Sequence, residues 1–349
     1  MRIVVDEKIP YLCEALEQMG HTVEALPGCA ISNSDLLTAD ALFVRTRTLC
    51  NAALLDNTAV RFIGTATIGH DHIDKEYCRQ KGIVWTNAPG CNADAVLQYV
   101  QSAIYCWARS NSIENLQGLT LGIVGVGQIG SRVERWARKA GLTVLLNDPP
   151  RAARGEEDFV ALEKIAQECD IITFHTTLNK SGDYPSYHLA DTAFMDNLRK
   201  CKLLINASRG PVVDNSALLN AIDNKRIAAV ALDVWENEPL LNPRLLEKAY
   251  IATPHIAGYS AEGKMNASRM MVEAFAAFCN YKEALPIMRL PAPPHRDISA
   301  DSQPDAFLTI YNPMDDTRLL KTSPHKFEEL RNNYNLRREP SAYGIRTEE

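Results

Sequence analysis

The feature that most constrains this fold is a glycine-rich turn between an apolar strand pattern and a helical pattern. Residues 125–130 have the sequence Gly-Val-Gly-Gln-Ile-Gly and follow the apolar run at 119–124. The helical pattern that comes next ends at Gly141. Glycines in such a turn let the backbone approach a pyrophosphate, and the helix N-terminus stabilises its negative charge. The turn therefore predicts a dinucleotide-binding site formed by Gly125, Gly127, Gln128, Ile129 and Gly130.

An acidic residue after the next strand pattern indicates which dinucleotide binds. The strand pattern at 143–146 leads into Asn147-Asp148. A carboxylate at this position binds the ribose 2′-hydroxyl of NAD and repels the 2′-phosphate of NADP. We therefore expect Asp148 to bind the cofactor, and we expect that cofactor to be NAD. Arg151 and Arg154 follow closely, which leaves NADP open as the alternative.

Two regions of the chain alternate strands with helices. With 349 residues, the chain is long enough for two domains. Fully apolar strands that alternate with helices predict parallel sheets covered on both faces. The first ninety residues predict a domain of flavodoxin-like size, with strands at 2–5, 21–26, 41–44, 61–64 and 83–85. The second region predicts a six-stranded Rossmann sheet, with strands at 119–124, 143–146, 171–174, 203–205, 228–232 and 250–252.

Two long helical patterns and a proline-rich tail complete the chain. The helical patterns cover residues 92–109 and 261–280. Prolines become frequent after Leu285, and the residues beyond predict a strand at Phe307–Tyr311 and an amphipathic helix at Pro324–Asn335. This tail is too small to hold a core of its own. We expect it to pack on its own chain or on a partner subunit.

Composition and charge exclude several classes of protein. The net charge of −6 gives no electrostatic footprint for nucleic acid or acidic lipid. The nine cysteines are scattered, with no C-x-x-C pair, which is typical of reduced thiols in a cytosolic protein. The N-terminal sequence MRIVVDEKIP is too polar for a secretory signal, and no apolar run is long enough to span a membrane. We expect a soluble cytoplasmic protein.

Three charged residues follow successive strands of the second region. Arg209, Glu238 and His255 each lie in the loop after a predicted strand. Such loops line the ligand crevice of a doubly wound sheet. Together the three residue types suit hydride transfer from a 2-hydroxy acid. The guanidinium binds the substrate carboxylate, the imidazole takes the hydroxyl proton, and the carboxylate fixes the imidazole tautomer.

Four segments resemble the signatures of the D-isomer-specific 2-hydroxyacid dehydrogenases. They are the glycine turn, NASRGPVVD at 206–214, ALDVWENEP at 231–239 and TPHIAGY at 253–259, and the likeness covers residues 1 to about 285. The resemblance implies a Rossmann NAD-binding domain, residues 93–256, inserted in a flavodoxin-like substrate domain, residues 1–92 and 257–285. It also implies that residues 286–349 form a small C-terminal α+β dimerisation module.

The same resemblance implies further site residues and a substrate class. It places substrate contacts at Thr46, Thr67 and Tyr259, and cofactor contacts at Thr176, Ser208, Asp233 and Gly258. Within the family, the segments at 5–11, 64–74, 88–96 and 148–155 are similar to those of an enzyme that acts on a small phosphorylated 2-hydroxy acid. The expected protein is therefore a homodimeric NAD-dependent dehydrogenase without nucleic-acid or membrane partners.

Two alternative functions remain open. Another enzyme of the family, such as 3-phosphoglycerate dehydrogenase, shares the fold and the three charged residues. An NAD-sensing corepressor or scaffold is the alternative outside the enzymes, although the intact Arg209, Glu238 and His255 favour catalysis. The His70 and His72 pair predicts hydrogen-bonded turn structure and no metal site. Arg337-Arg338 predicts a solvated basic pair, with a contact to a substrate phosphate as the other option.

Overall fold

The computed structural model describes residues 1–347, and its regular elements are numbered here in chain order. The strands are β1 (Arg2–Asp6), β2 (Thr22–Leu26), β3 (Ala41–Val44), β4 (Phe62–Thr65), β5 (Val84–Thr86), β6 (Thr120–Val124), β7 (Thr143–Asn147), β8 (Ile171–Phe174), β9 (Leu203–Asn206), β10 (Ala229–Leu232), β11 (Ile251–Ala252), β12 (Asp297–Ala300) and β13 (Gly344–Thr347). The α-helices are α1 (Leu12–Gln18), α2 (Asn33–Leu36), α3 (Ala52–Leu55), α4 (Lys75–Lys81), α5 (Ala93–Ser110), α6 (Gly130–Lys139), α7 (Pro149–Ala153), α8 (Leu162–Glu168), α9 (Thr192–Asp196), α10 (Asn215–Asp223), α11 (Pro243–Lys248), α12 (Ala261–Cys279), α13 (Gln303–Ile310), α14 (Pro313–Thr322) and α15 (Phe327–Asn332).

The chain divides into two compact units. The first comprises Met1–Asn92 with Ser260–Ala292, and the second comprises Ala93–Tyr259 with Pro293–Glu349. The C-terminal segment therefore falls within the second compact unit. Among the described residues, no helix is long and apolar enough to cross a membrane.

The first unit is a five-stranded parallel sheet in the order β2-β1-β3-β4-β5. Its central strands are fully buried because helices cover both faces. On one face, Phe275 of the long helix α12 packs against Phe43 and Phe62. Gly64 leaves room for this contact, since a Cβ there would lie 2.6 Å from the Phe43 ring. The flavodoxin-like expectation is confirmed by this strand order.

The second unit contains a six-stranded parallel sheet in the order β11-β10-β9-β8-β6-β7. An isolated parallel bridge from Leu146 to Phe159 extends it beyond β7. We number the six strands and the Phe159 segment from 1 to 7 along the chain. Their order across the sheet, starting from Phe159, is then 3-2-1-4-5-6-7. The first six positions have the strand order of the Rossmann sheet. Two apolar clusters of buried residues cover the faces of the sheet, one including α5 and α6, the other α8 to α11. The Rossmann prediction is confirmed.

The C-terminal segment differs from the expected structure. The strand predicted at Phe307–Tyr311 is wrong, because residues 303–310 form α13, with Ser302 as its N-cap. The predicted helix at Pro324–Asn335 is a short 3₁₀ turn followed by α15. The segment packs on its own chain: α13 contacts α5, and α14 contacts α5 and β11. Its strands β12 and β13 form a separate parallel pair.

Candidate active site

The glycine turn leaves no room for side chains at two of its three glycines. Gly125 has a φ of 88°, and a Cβ there would lie 2.8 Å from the backbone carbon of His175. A Cβ on Gly130 would overlap the carbonyl oxygen of Gly125. Gly130 therefore lets the start of α6 pack against the end of β6, and Gly125 lets the turn approach the backbone that follows β8.

The third glycine leaves space for a dinucleotide, and a nearby hydroxyl group is available to hydrogen-bond with it. A Cβ on Gly127 would have no protein atom within 4 Å, so the surface above it is open to a ligand. Thr176 lies beside the turn, since its amide is 2.9 Å from the position of a Gly125 Cβ. In the described part of the chain, the buried Thr176 Oγ1 has no hydrogen-bond partner. Gln128 and Ile129 precede the first turn of α6, whose amides point outward.

Asp148 lies at the end of β7 and connects the next helix to the glycine turn. Its Oδ2 accepts a hydrogen bond from the Val126 amide at 2.8 Å, and its Oδ1 caps α7 by accepting from Arg151 N at 3.1 Å. The Arg151 and Arg154 guanidiniums both bind the Glu156 carboxylate. These two arginines are therefore paired with an acidic side chain, which weakens the case for a 2′-phosphate site.

His255 and Glu238 form a hydrogen-bonded pair across two loops. The His255 Nδ1 lies 2.8 Å from Glu238 Oε2, and Glu238 Oε1 accepts from the Trp235 amide at 2.9 Å. Burial favours the protonated form of Glu238, but the hydrogen bond and charge of His255 lower its pKa below the usual value. The ionised carboxylate thus keeps the proton of the neutral imidazole on Nδ1, which leaves Nε2 as the basic nitrogen.

Arg209 lies on the loop after the neighbouring strand. Strands β9, β10 and β11 are adjacent in the sheet, so the loops with Arg209, Glu238 and His255 leave the same edge. Gly210 brings the Arg209 loop against the backbone of Trp235, where any side chain would overlap the Trp235 carbonyl. The Arg209 side chain is half-buried, and its Nη1 donates to the Ser208 carbonyl at 2.8 Å.

Ser208 and Asp233 are both buried and take part in local hydrogen bonds. Ser208 donates to Asn206 Oδ1 through both its amide and its hydroxyl. Asp233 accepts from Thr253 Oγ1 at 2.6 Å and from the amides of Ile256 and Ala257 at 2.8 and 2.9 Å. Asp233 therefore shapes the loop that carries His255, a contribution that its assignment as a cofactor contact did not include.

The expected substrate residues fall in both units. Thr46 is exposed in the turn after β3, and Thr67 is half-buried in the loop after β4, the neighbouring strand. The Thr67 hydroxyl donates to the Gly69 carbonyl at 2.7 Å. Gly258 and Tyr259 are half-buried at the end of the His255 loop in the second unit. Their roles in binding stay predictions.

Comparison with known proteins decides the family. Erythronate-4-phosphate dehydrogenase of Bacteroides thetaiotaomicron is 49% identical over 346 residues, which cover 99% of both chains. The enzyme of the same name from Salmonella paratyphi B is 44% identical, covering 98% of this chain and 93% of that protein. The chain belongs to the erythronate-4-phosphate dehydrogenase family. The narrower resemblance in the segments at 5–11, 64–74, 88–96 and 148–155 is to this enzyme.

The wider family and the cofactor are also established. Residues 92–257 match the D-isomer specific 2-hydroxyacid dehydrogenase NAD-binding domain. The D-lactate dehydrogenase of Aquifex aeolicus, solved with NAD and lactic acid, is similar in structure, with a TM-score of 0.63 and 25% identity over 80% of this chain and 96% of that one. NAD is therefore the cofactor of this protein, in agreement with the glycine turn and Asp148.

Sequence reasoning missed two arginines of the C-terminal segment. Arg337 is buried, which corrects the expectation of a solvated Arg337-Arg338 pair. Its guanidinium contacts the loop after His255, and Arg331 on α15 hydrogen-bonds with Tyr259 of the same loop. The sequence gives little indication of these contacts. Two adjacent arginines are typical of solvent-exposed positions, and no local pattern shows which loop the distant C-terminal segment contacts.

Two groups of side chains that contain histidine are connected by hydrogen bonds. Within residues 1–347, His188, Asp214 and Glu236 have ligand atoms close enough for a metal ion. Both carboxylates also accept from amides at the start of α10, and the His188 Nε2 lies 2.6 Å from Glu236 Oε1. The three side chains thus fix the loop that leads to Glu238. In the other cluster, His72 Nε2 lies 2.9 Å from the Thr65 hydroxyl.

Proposed function

We propose that this protein catalyses the NAD-dependent oxidation of 4-phospho-D-erythronate to (R)-3-hydroxy-2-oxo-4-phosphooxybutanoate, a step of pyridoxal 5′-phosphate biosynthesis. The observation that carries this proposal is the similarity over nearly the whole chain, at 44–49% identity, to erythronate-4-phosphate dehydrogenases. The hydrogen-bonded His255–Glu238 pair supports it, because it supplies a base oriented for removing a hydroxyl proton.

In this proposal, three residues carry the chemistry. Arg209 binds the substrate carboxylate through its planar fork and polarises the reacting oxygen. His255 Nε2 takes the proton of the C2 hydroxyl as the alcohol becomes a ketone. Glu238 holds Nδ1 and stabilises the imidazolium that this step forms. In the reverse direction, the same imidazolium returns the proton.

The cofactor is held by residues of the second unit. When bound, NAD accepts the hydride released from the substrate C2 carbon. The residues proposed to hold it are Gly125, Gly127, Gln128, Ile129 and Gly130 for the pyrophosphate, Asp148 for the ribose, and Thr176, Ser208, Asp233 and Gly258 for the rest of the cofactor. The open surface above Gly127 and the unpartnered Thr176 hydroxyl support these assignments.

We also propose that the chain works as a cytoplasmic homodimer with Thr46, Thr67 and Tyr259 as substrate contacts. The nine free thiols suit a reducing compartment. The resemblance to the family assigns subunit contacts to the C-terminal segment.

A turnover assay tests the proposed reaction. Purified protein is mixed with NAD and 4-phospho-D-erythronate, and the absorbance of NADH is followed, with 3-phosphoglycerate and D-lactate as comparison substrates. We expect kcat/KM for 4-phospho-D-erythronate to exceed the others by at least about 100-fold. A preference for 3-phosphoglycerate would assign the other enzyme function. Tight NAD binding without turnover of any substrate would favour a corepressor or scaffold.

A further inference from the structure

The buried Arg337 holds the backbone of the loop that carries His255. All five N–H groups of its guanidinium have acceptors at hydrogen-bond distance, which satisfies the group completely. The acceptors are Gln98 Oε1 and the carbonyls of Ala95, Ile256, Ala257 and Tyr259, and the Tyr334 hydroxyl lies 3.5 Å from Nη1 as a more distant partner. Three of the four carbonyls belong to the residues that follow His255, so Arg337 fixes their peptide planes.

Asp233 holds the other side of the same backbone. Its carboxylate accepts from the amides of Ile256 and Ala257 at 2.8 and 2.9 Å, while Arg337 binds the carbonyls of these two residues. The N–H and C=O groups of both residues are therefore bound to opposite charges. We call this arrangement the loop clamp: Asp233, Arg337 and the backbone of residues 256–259 between them.

The backbone at His255 explains why a clamp is needed. His255 has a φ of 58°, a left-handed conformation that costs free energy for any residue with a Cβ. Its amide donates to the Asp233 carbonyl at 2.8 Å, which fixes the entry to the loop. The exit is held by the Asp233 carboxylate through its amides and by Arg337 through its carbonyls. Without both ends fixed, the loop would relax toward ordinary dihedral angles and move the imidazole away from Glu238.

The surroundings of Arg337 explain why the residue is an arginine. The guanidinium stacks over the Tyr311 ring at 4.2 Å, a contact that a planar cation favours. Its five acceptors are bound by N–H groups that point in different directions within one plane, and a lysine ammonium, with three donors on one nitrogen, cannot reach them together. Loss of either the charge or the planar geometry would leave buried carbonyls unsatisfied.

We propose that Arg337 is a positioning residue for catalysis: it acts from the C-terminal segment of the same chain and keeps His255 aligned with Glu238 and the substrate. This inference rests on the proposed reaction. It gives the segment a role inside each subunit, in addition to any contact between subunits.

The test compares two substitutions of Arg337 with a matched surface arginine. Arg337→Lys keeps the charge and loses the fork, whereas Arg337→Ala leaves a guanidinium-sized space. Arg318→Ala is the control, since Arg318 lies on α14 of the same segment with its side chain 74% exposed. For each variant we measure kcat, the dissociation constant of NAD, the melting temperature and the isotope effect with substrate deuterated at C2.

A positioning role predicts a specific pattern of results. Arg337→Lys should lower kcat by about 10- to 100-fold, because small displacements of catalytic groups have effects of this size. NAD affinity should fall much less than kcat, since the glycine turn and Asp148 are untouched and only Asp233 and Gly258 among the proposed cofactor contacts belong to the loop clamp. The deuterium isotope effect on kcat should rise as chemistry becomes limiting. Millimolar guanidinium, but not ammonium or urea, should restore part of the kcat of Arg337→Ala. Arg318→Ala should match wild type.

Other results would overturn the inference. Wild-type kcat in Arg337→Lys would show that the clamp is dispensable. Equal losses of kcat, NAD affinity and thermal stability in that variant would show a general structural role. Should Arg337→Ala fail to fold, the lysine variant decides alone. Absence of turnover by the wild-type protein with 4-phospho-D-erythronate would instead refute the proposed function on which the inference rests.

Discussion

Two loops at the same sheet edge of the second unit are stabilised in different ways. The glycine turn at 125–130 is shaped by close backbone contacts, with Gly125 against His175 and Gly130 against Gly125. The loop at 253–259 is shaped by side chains, with Asp233 on one side and Arg337 on the other. The first loop requires residues without a Cβ, and its Val126 backbone is bound by two side chains that follow closely in the sequence, Asp148 and Arg151. The second loop depends on two buried charged residues, one of which comes from the distant C-terminal segment.

Because of this difference, mutations that affect the two loops should have different consequences. The glycine turn depends on its own glycines and on the side chains of Asp148 and Arg151, which lie in the segment directly after β7. A loop held by ionised side chains depends on distant parts of the chain, including the C-terminal segment. Substitutions in the glycine turn should therefore act mainly on cofactor affinity, and substitutions that loosen the second loop should act mainly on turnover.

The largest expected effect comes from His255→Asn. Asparagine tolerates the left-handed backbone at this position, so the loop should keep its shape. Removal of the base should lower kcat by about 10²- to 10⁴-fold. NAD affinity should stay near wild type, because the glycine turn is unchanged. Stopped-flow turnover and fluorescence titration of NAD measure the two quantities separately.

The control for this experiment is the wild-type protein measured under the same conditions. If NAD affinity fell in proportion to kcat in His255→Asn, the imidazole would be part of the cofactor site. The separation between the two loops would then be wrong.

Substitutions at two glycines of the turn should have smaller effects. These effects should fall on NAD affinity, which His255→Asn leaves unchanged. In Gly130→Ala, the added methyl group overlaps the Gly125 carbonyl, so the turn must distort. We expect a loss of about 1–3 kcal/mol in stability together with weaker NAD binding. In Gly127→Ala, no protein atom is displaced, so the melting temperature should stay constant and only NAD affinity should fall.

Calorimetry and NAD titration of the two variants distinguish the causes. Unchanged NAD affinity in Gly127→Ala would mean that the cofactor does not approach the open surface above this glycine. A melting temperature of Gly130→Ala equal to that of wild type would mean that the turn is held less tightly than its contacts indicate.

The same contrast accounts for how much the sequence could predict. The glycine turn, Asp148 and the strand pattern are local signals, and the structure confirms both parallel sheets where these signals place them. His255 and Glu238 were predicted to meet because both follow strands at one sheet edge, and they form a hydrogen bond. Short-range rules of chain geometry were sufficient for each of these features.

Long-range contacts could not be predicted in this way. The segment at 307–311 has a β-like composition, but the cap at Ser302 and the buried Phe307 and Leu308 against α5 make it helical. Tertiary packing overrides local propensity in such segments. The role of Glu156 in pairing Arg151 and Arg154 also depended on the folded position of an ordinary surface residue.

The last expected effect appears only at high pH and concerns Asp316, which lies beside the loop clamp. Asp316 Oδ2 accepts a hydrogen bond from the Tyr311 hydroxyl, and the Tyr311 ring lies under Arg337. Burial raises the pKa of Asp316 to about 6, while the Tyr311 hydrogen bond and the charge of Arg337 oppose this rise only in part. The folded protein therefore favours the protonated carboxyl.

The sign of the pH dependence follows from this raised pKa. The stabilising contribution of Asp316 is fully present below its ordinary pKa near 4 and is lost as the pH rises through about 6. At pH 8 the ionised carboxylate should cost about 2–3 kcal/mol. Asp316→Asn keeps an acceptor for Tyr311 and cannot ionise, so it should be more stable than wild type at pH 8 and nearly equal at pH 4.

Thermal unfolding of both proteins at pH 4 and pH 8 measures the difference. A gain of a few degrees for Asp316→Asn at pH 8 alone is the expected result, since about 1 kcal/mol shifts the melting temperature of a chain of 349 residues by about 1–2 °C. A loss at pH 8 would mean that the attraction between ionised Asp316 and Arg337 exceeds the cost of burying the carboxylate. In that case the loop clamp would include a second anion. The loop at 253–259 would then depend on still more charges from the C-terminal segment, whereas the charged partners of the glycine turn, Asp148 and Arg151, lie close to it in the sequence.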